Sequence, residues 1–150
     1  MQAEDLAVFV DGISNYFTST TGTDATVGTP FLSKEVNPYI SDFTGIIGIS
    51  GNKKGSIFFS APSRMVSHVL QGMGLISTKE SKLMDLVGEI CNTVSGNARR
   101  EFGEDFNITV PLTIQGKPQD MSVSEVASIY IIPIEWEQQR ANLIVNLEAN

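Results

Sequence analysis

The chain is short of the residues that build metal centres and covalent active sites. It holds one cysteine and one histidine in 150 residues. A lone cysteine, Cys91, excludes an internal disulfide and suits a reducing compartment. With His68 it cannot supply the usual ligand set of a zinc site. A Ser-His-Asp triad would have to use His68, whose surroundings, "RMVSHVLQGMG", match no such motif. No GxxxxGK run followed by serine or threonine is present to cradle a phosphate. Long apolar runs are missing too, so no helix is expected to cross a membrane. The first ten residues, "MQAEDLAVFV", lack the basic start of an export signal, and a cytoplasmic protein is expected. Basic residues are outnumbered, with a net charge of -7 and a pI near 4.6. Nucleic acid and anionic membranes both reward a basic surface, so neither is an expected partner.

What is there suffices for one domain, residues 1–150. Hydrophobic residues are 41% of the chain, enough for a core. "EDLAVFVDGISNYFTST" reads as a first helix, with Leu6, Phe9, Val10, Ile13 and Phe17 at helical spacing. "ATVGTPFLS" reads as a strand with Pro30 at an edge or bulge. "FTGIIGIS" and "GSIFFSA" read as a hairpin around the loop "GNKKG". Pro62 opens a second helix through about Gly72. Thr78 is the expected cap of a long third helix, with Gly103 as its stop. "FNITVPLTIQG" reads as a strand and "PQDMS" as a loop. "SEVASIYIIPIEWE" and "RANLIVNLE" read as a last hairpin, with Pro133 placing part of the former at an edge or bulge. Helices with antiparallel hairpins predict an α+β fold, with the helices on a face of one largely antiparallel sheet.

The third helix is the anomaly. Its centre, "DLVGEICNTVSGNARREFG", carries Gly88, Asn92, Gly96 and Asn97. Each glycine costs about 1 kcal/mol relative to alanine in a helix interior, and each asparagine roughly half that. At about 100° per residue, Asp85, Glu89, Asn92 and Gly96 form one stripe. Leu83, Leu86, Val87, Ile90, Val94 and Ala98 fall opposite and predict the face packed on the sheet. A solvated polar face is the ordinary reading of such a stripe. Yet lysine, glutamate or glutamine would dissolve as well and favour the helix. Gly96 takes a side chain off the stripe and allows another protein to approach. Gly88 lies off the stripe, where tight packing is the plain reading.

These residues resemble the chemotaxis phosphatase family of CheX, CheC and FliY. That family carries an acid or serine, three residues, Glu, two residues and Asn on an exposed helix, matched here by Asp85, Glu89 and Asn92. The following "GN" is similar at Gly96 and Asn97. "GIIGISGNKKGSIFFSAP" and "FNITVPLTIQG" resemble the family's hairpin and later strand, so residues 42–116 are covered well and the ends loosely. The first helix echoes the motif helix: "DGISN" can be laid on "GEICN", with Asn15 on Asn92 but Gly12 where Glu89 sits. The resemblance implies a CheX-like domain with one equipped motif.

It further implies a phosphatase acting on a phosphorylated CheY-like receiver. The receiver would bring the aspartyl phosphate, the Mg2+ ion and a lysine, so the phosphatase would need no cofactor or metal of its own. Asn92 would hold the attacking water and Glu89 would pair with the receiver's lysine, making these two the catalytic candidates. Asp85, Gly96 and Arg99 are the candidates for receiver contact. Arg99 and Arg100 also suit the last helical turn, where cations favour the dipole. The plain readings hold elsewhere. His68 is a half-exposed helix residue, Cys91 is buried and inert, Lys53 and Lys54 are a solvated turn, and Asn97 holds backbone or a neighbouring strand. Two other classes fit the same stripe: a CheX-like module that docks a signalling protein without catalysis, and a subunit interface. Relatives of this kind pair as homodimers through sheet edges, and the apolar C-terminal strands would otherwise leave an exposed edge. A homodimer is therefore expected.

Overall fold

The computed structural model describes residues 2–77, 79–117 and 129–149. Helix α1 runs Ala3–Thr21. Its start is fastened where the Gln2 N–H donates to Asp5 Oδ2 at 3.1 Å. Its end is set by Gly22, whose φ of 77° is open to glycine and strained for other residues. Two short strands follow, β1 at Thr26–Val27 and β2 at Phe31–Ser33, then a 3-10 turn at Asn37–Tyr39. Pro30 therefore splits the expected single strand rather than bulging it. Next come β3 (Phe43–Gly51), β4 (Lys53–Ala61), α2 (Ser63–Gly72) and α3 (Glu80–Phe102). The "FNITVPLTIQG" stretch is likewise two strands, β5 at Phe106–Ile108 and β6 at Leu112–Gln115, interrupted at Pro111. Strands β7 (Ile129–Trp136) and β8 (Gln139–Ala149) close the chain.

The eight strands among the described residues join one sheet in the order β1-β7-β8-β4-β3-β5, with β2 beside β1 on β7 and β6 beside β5 on β3. Every pairing is antiparallel. The order is a palindrome. Take α1 with β1 to β4 as one unit and α3 with β5 to β8 as another. Each unit's short strands then pair with the other unit's hairpin, and the two long hairpins meet at β4 and β8. This exchange matches the echo between the first and third helices.

The helices share one sheet face. Alternate strand residues such as Ile47, Ile57, Phe59, Ile132, Ile134, Leu143 and Val145 point to them and are almost wholly buried. Phe9, Ile13 and Phe17 of α1 are fully buried against this layer. Each such side chain contributes about 1.5–3 kcal/mol relative to exposure. A smaller cluster of Val36, Ile40, Phe58, Ile129, Ile131 and Ile144 lies on the opposite face, beside the 3-10 turn.

Several expectations are corrected by this arrangement. The C-terminal strands are not an exposed edge: β8 lies between β4 and β7, and β7 between β8 and β1 with β2. The edges are instead β1 with β2 and β5 with β6. Pro133 sits inside the sheet, opposite the gap between β1 and β2. Gly28 donates its N–H to the Pro133 carbonyl at 2.8 Å, and a Cβ on Gly28 would lie 2.8 Å from the proline ring. The glycine makes room for the ring, and the proline's missing donor faces the break. Lys53 and Lys54 belong to β4 rather than a turn. Lys53 Nζ lies 3.6 Å from Asp5 Oδ2 and 5.0 Å from the centroid of the Phe102 ring. The helix cap expected at Thr78 lies outside the described residues, and the residue preceding α3 is Lys79. The "PQDMS" loop and the first residues of "SEVASIYIIPIEWE" also lie outside them.

Candidate functional site

Helix α3 is seated on the sheet by its glycine. A Cβ on Gly45 of β3 would lie 2.9 Å from the Val87 carbonyl oxygen and 3.2 Å from the Cα of Gly88. A Cβ on Gly88 would lie 2.9 Å from Cγ2 of Thr113 in β6. Two backbones therefore touch at Gly45 and Gly88, with no side chain between them. Leu83, Leu86, Val87, Ile90, Val94 and Ala98 are all buried, as their spacing predicts. Cys91 is buried with them, and its thiol donates to the Ile57 carbonyl at 3.4 Å. Burial pushes that thiol up to about 12. The helix is thus a fixed platform whose depth is set by contact between main chains.

The other face of this platform carries Asp85, Glu89 and Asn92, all exposed. Among the described residues, none of the three makes a side-chain hydrogen bond or ion pair. The Asn92 carboxamide, two donors and one acceptor, is left for solvent or for another molecule. Gly96 continues the stripe, and a Cβ there would meet nothing within 4 Å. Unlike Gly88, it is not required by any close contact of the fold. It opens onto a shallow groove that Arg99, Arg100, Gly103, Glu104 and Ile108 complete. Arg99 is exposed, and its Nε–H donates to the Phe106 carbonyl at 3.1 Å, tying the helix end to β5. Among the described residues Asn97 does not hold backbone or a strand: its Oδ1 accepts from the Arg100 guanidinium one turn on.

Helix α1 lies antiparallel beside this face. The Phe9 and Phe102 rings are 6.0 Å apart, and a Cβ on Gly12 would lie 3.8 Å from Cγ1 of Val94. In α1, the counterpart of Glu89 is the buried Gly12, while Asn15 is exposed. One turn beyond Gly12 stands Tyr16, 7% exposed, with its hydroxyl sealed and, among the described residues, without a hydrogen bond of normal geometry. Its pKa is raised from 10.0 to about 12, by burial first and then by the negative charge of Glu89, with a smaller opposing effect of Thr20. Tyr16 falls outside the apolar set read from the spacing of α1. The signal for it is that it continues the Phe9 and Gly12–Ile13 face by one turn.

His68 of α2 is half-buried, with Nδ1 3.0 Å from Gln139 Nε2 and 3.6 Å from Glu137 Oε2. It braces the turn between β7 and β8, remote in sequence from the stripe. No group of three or more His, Cys, Asp or Glu side chains that could hold a metal ion occurs among the described residues. No helix among them is long and apolar enough to cross a membrane.

Comparison with known families decides what this platform belongs to. Residues 43–135, from β3 through α3 into β7, match the family described as chemotaxis phosphatase CheX. The chain belongs to the CheX family. Solved CheX-like structures share the whole fold. CheX from Vibrio vulnificus superposes with a TM-score of 0.84 at 26% identity, covering 97% of this chain and 100% of that one. A chemotactic CheC-like protein from Shewanella oneidensis MR-1 gives 0.85 at 26% identity, covering 99% and 100%. CheX in the CheX-CheY-BeF3-Mg complex from Borrelia burgdorferi gives 0.77 at 17% identity, covering 98% and 99%. No functionally curated protein matches the chain by sequence. The CheX fold of α+β type, with its largely antiparallel sheet, is the one expected from the sequence.

Proposed function

We propose that this chain is a phosphatase of phospho-aspartyl receiver domains of the CheY type, with Asn92 as the water-orienting residue and Glu89 as the docking residue. The observation that carries this reading is the exposed Glu89–Asn92 pair, without side-chain hydrogen bonds or ion pairs among the described residues, on a helix seated by backbone contact. Phosphoryl transfer chiefly needs positioning and charge stabilisation. A carboxamide can donate to a phosphoryl oxygen and accept from a water at once, holding that water in line with the phosphorus. Asn92 enters the receiver's site in this way. Glu89, one turn back, pairs with the receiver's lysine and fixes the depth of entry. The aspartyl phosphate and Mg2+ belong to the receiver. Asp85, Gly96 and Arg99 border the pair and contribute to docking, Gly96 by offering no side chain. The Borrelia burgdorferi CheX of the same fold, in complex with CheY, BeF3 and Mg2+, supports a receiver as the partner.

The test is to phosphorylate CheY-type receivers of the host with acetyl phosphate and Mg2+, then follow phosphate loss with and without the protein. Accelerated loss from at least one receiver is expected. Asn92→Ala should slow turnover about 100-fold or more, the scale of losing one positioned polar group, with the fold intact. Undiminished turnover by Asn92→Ala would refute the mechanism. A cytoplasmic location follows from that of such receivers.

A homodimer through the sheet edges belongs to the same proposal. Phe31 and Leu32 on β2 are 41% and 63% exposed, and Val110 and Leu112 by β6 are 87% and 62% exposed. Apolar residues on open edges favour pairing with a second copy. Sedimentation equilibrium should give twice the chain mass, and Leu32→Lys with Leu112→Lys should lower it. A monomeric mass at every concentration overturns the dimer.

A further inference from the structure

We infer that Tyr16 is a positioning residue for Glu89: its buried hydroxyl takes one carboxylate oxygen when a receiver covers the stripe, leaving the other oxygen for the receiver's cation. This inference rests on the proposed receiver docking and extends it to α1. The geometry comes from the antiparallel packing of α1 on α3. Phe9 meets Phe102, and Gly12 meets Val94 one turn further along α1 and two turns back along α3. The next turn of α1 brings Tyr16 to the turn of α3 that holds Glu89. The close approach at Gly12 draws the helices together just before this point.

The hydroxyl itself is the second observation. It is sealed from water, and among the described residues it meets the Thr20 side chain without a hydrogen bond of normal geometry. A buried donor held only by a contact of poor geometry is weakly satisfied and destabilises the fold that contains it. Phenylalanine would fill the same space without that defect, so packing alone does not account for the oxygen. Glu89 has a complementary need. In the free protein its exposed carboxylate is solvated. A docked receiver excludes that water, and a carboxylate removed from water is stabilised only by donors around it. Among the described residues no lysine, arginine or histidine pairs with Glu89. Burial keeps Tyr16 protonated through the neutral range, so it remains a donor at assay pH. In this arrangement the inner carboxylate oxygen accepts from Tyr16 and the outer one from the receiver's lysine. The rotamer of Glu89 is thereby set at the moment of docking.

Tyr16→Phe removes the oxygen and retains the ring. The experiment measures the Kd for a BeF3- and Mg2+-loaded CheY-type receiver, kcat and KM on the phosphorylated form, and Tm. Tyr16→Phe should weaken receiver binding and raise KM about ten-fold or more, the scale of losing a hydrogen bond to a charged group. Its kcat should stay within about two-fold, because Asn92 and the water are untouched, and its Tm should not fall. In a Glu89→Gln background the same substitution should change Kd far less. Wild-type binding by Tyr16→Phe, or an equal loss in both backgrounds, overturns the inference. Turnover retained by Asn92→Ala would defeat the catalytic reading alone, since the Tyr16–Glu89 coupling is read in Kd. Absence of any receiver binding by the wild-type protein would defeat both.

Discussion

Gly96 and Gly88 lie two turns apart on one helix, and alanine should act in opposite directions at the two. A glycine inside a helix costs about 1 kcal/mol relative to alanine, chiefly through the freedom lost on folding. At Gly96 the new methyl group meets nothing within 4 Å, so no overlap opposes that gain. Gly96→Ala should therefore stabilise the protein by about 0.5–1 kcal/mol and raise Tm by roughly 1–4 °C. At Gly88 the intrinsic gain is the same, but the methyl lies 2.9 Å from Thr113 Cγ2 and 3.7 Å from Pro111 Cβ. Threonine is stiff at χ1, so relief requires α3 to lift from β6. Overpacking of this kind costs about 1–3 kcal/mol, more than the propensity returns. Gly88→Ala should be destabilised by about 1 kcal/mol. Urea unfolding followed by circular dichroism, with both variants beside the wild type, reads the two signs directly. A fall in midpoint for Gly96→Ala, or a rise for Gly88→Ala, would refute the assignment of one glycine to an open face and the other to close packing against Thr113 and Pro111.

Glu89→Ala should weaken receiver binding and dephosphorylation together without lowering Tm, as measured by receiver titration and thermal unfolding. Cys91 should resist thiol reagents in the folded protein at neutral pH, because its thiol is buried and pushed up to about 12. Since the unfolded thiol ionises near 8.5, stability should be complete below that pH and fall by at most about 1.4 kcal/mol per pH unit above it through this group. Urea midpoints between pH 9 and 10 should drop less steeply in Cys91→Ala than in wild type. The β7–β8 turn places Glu137 and Gln138 at φ of 48° and 65°, which asparagine and glycine tolerate better. Glu137→Asn with Gln138→Gly should raise the unfolding free energy by about 1 kcal/mol, measured by the same urea titration.

Local pattern was legible wherever one helix face or one run of alternation decided the outcome. The buried side of α3 was readable from Leu83 to Ala98 because its 3.6-residue period is strict. The exposure of Asp85, Glu89 and Asn92 followed from the same wheel, since the opposite side of a packed helix faces outward. Proline misled more than any other residue. Pro30 and Pro111 end strands here, whereas Pro133 sits inside β7, and only the position of Gly28 across the ladder distinguishes the cases. Lys53 reads as turn by its neighbours Gly51 and Gly55, yet its stem and charge are held by Phe102 and Asp5 from distant helices. The apolar C-terminal strands read as an edge in need of cover, but other strands of the chain already flank them.

By itself the sequence determined the helices, the hairpins, the α+β class and the stripe on α3, because each depends on contacts or periods within a few residues. The tertiary structure decided which strands are edges, how the two halves exchange their short strands, and that Gly88 packs between Gly45 of β3 and Thr113 of β6. It also packed α1 on α3 so that the charge of Glu89 raises the pKa of Tyr16, although the two are far apart in the chain. These outcomes depend on which distant segments meet, and that choice is made by the joint burial of all the apolar faces, which no local spacing encodes.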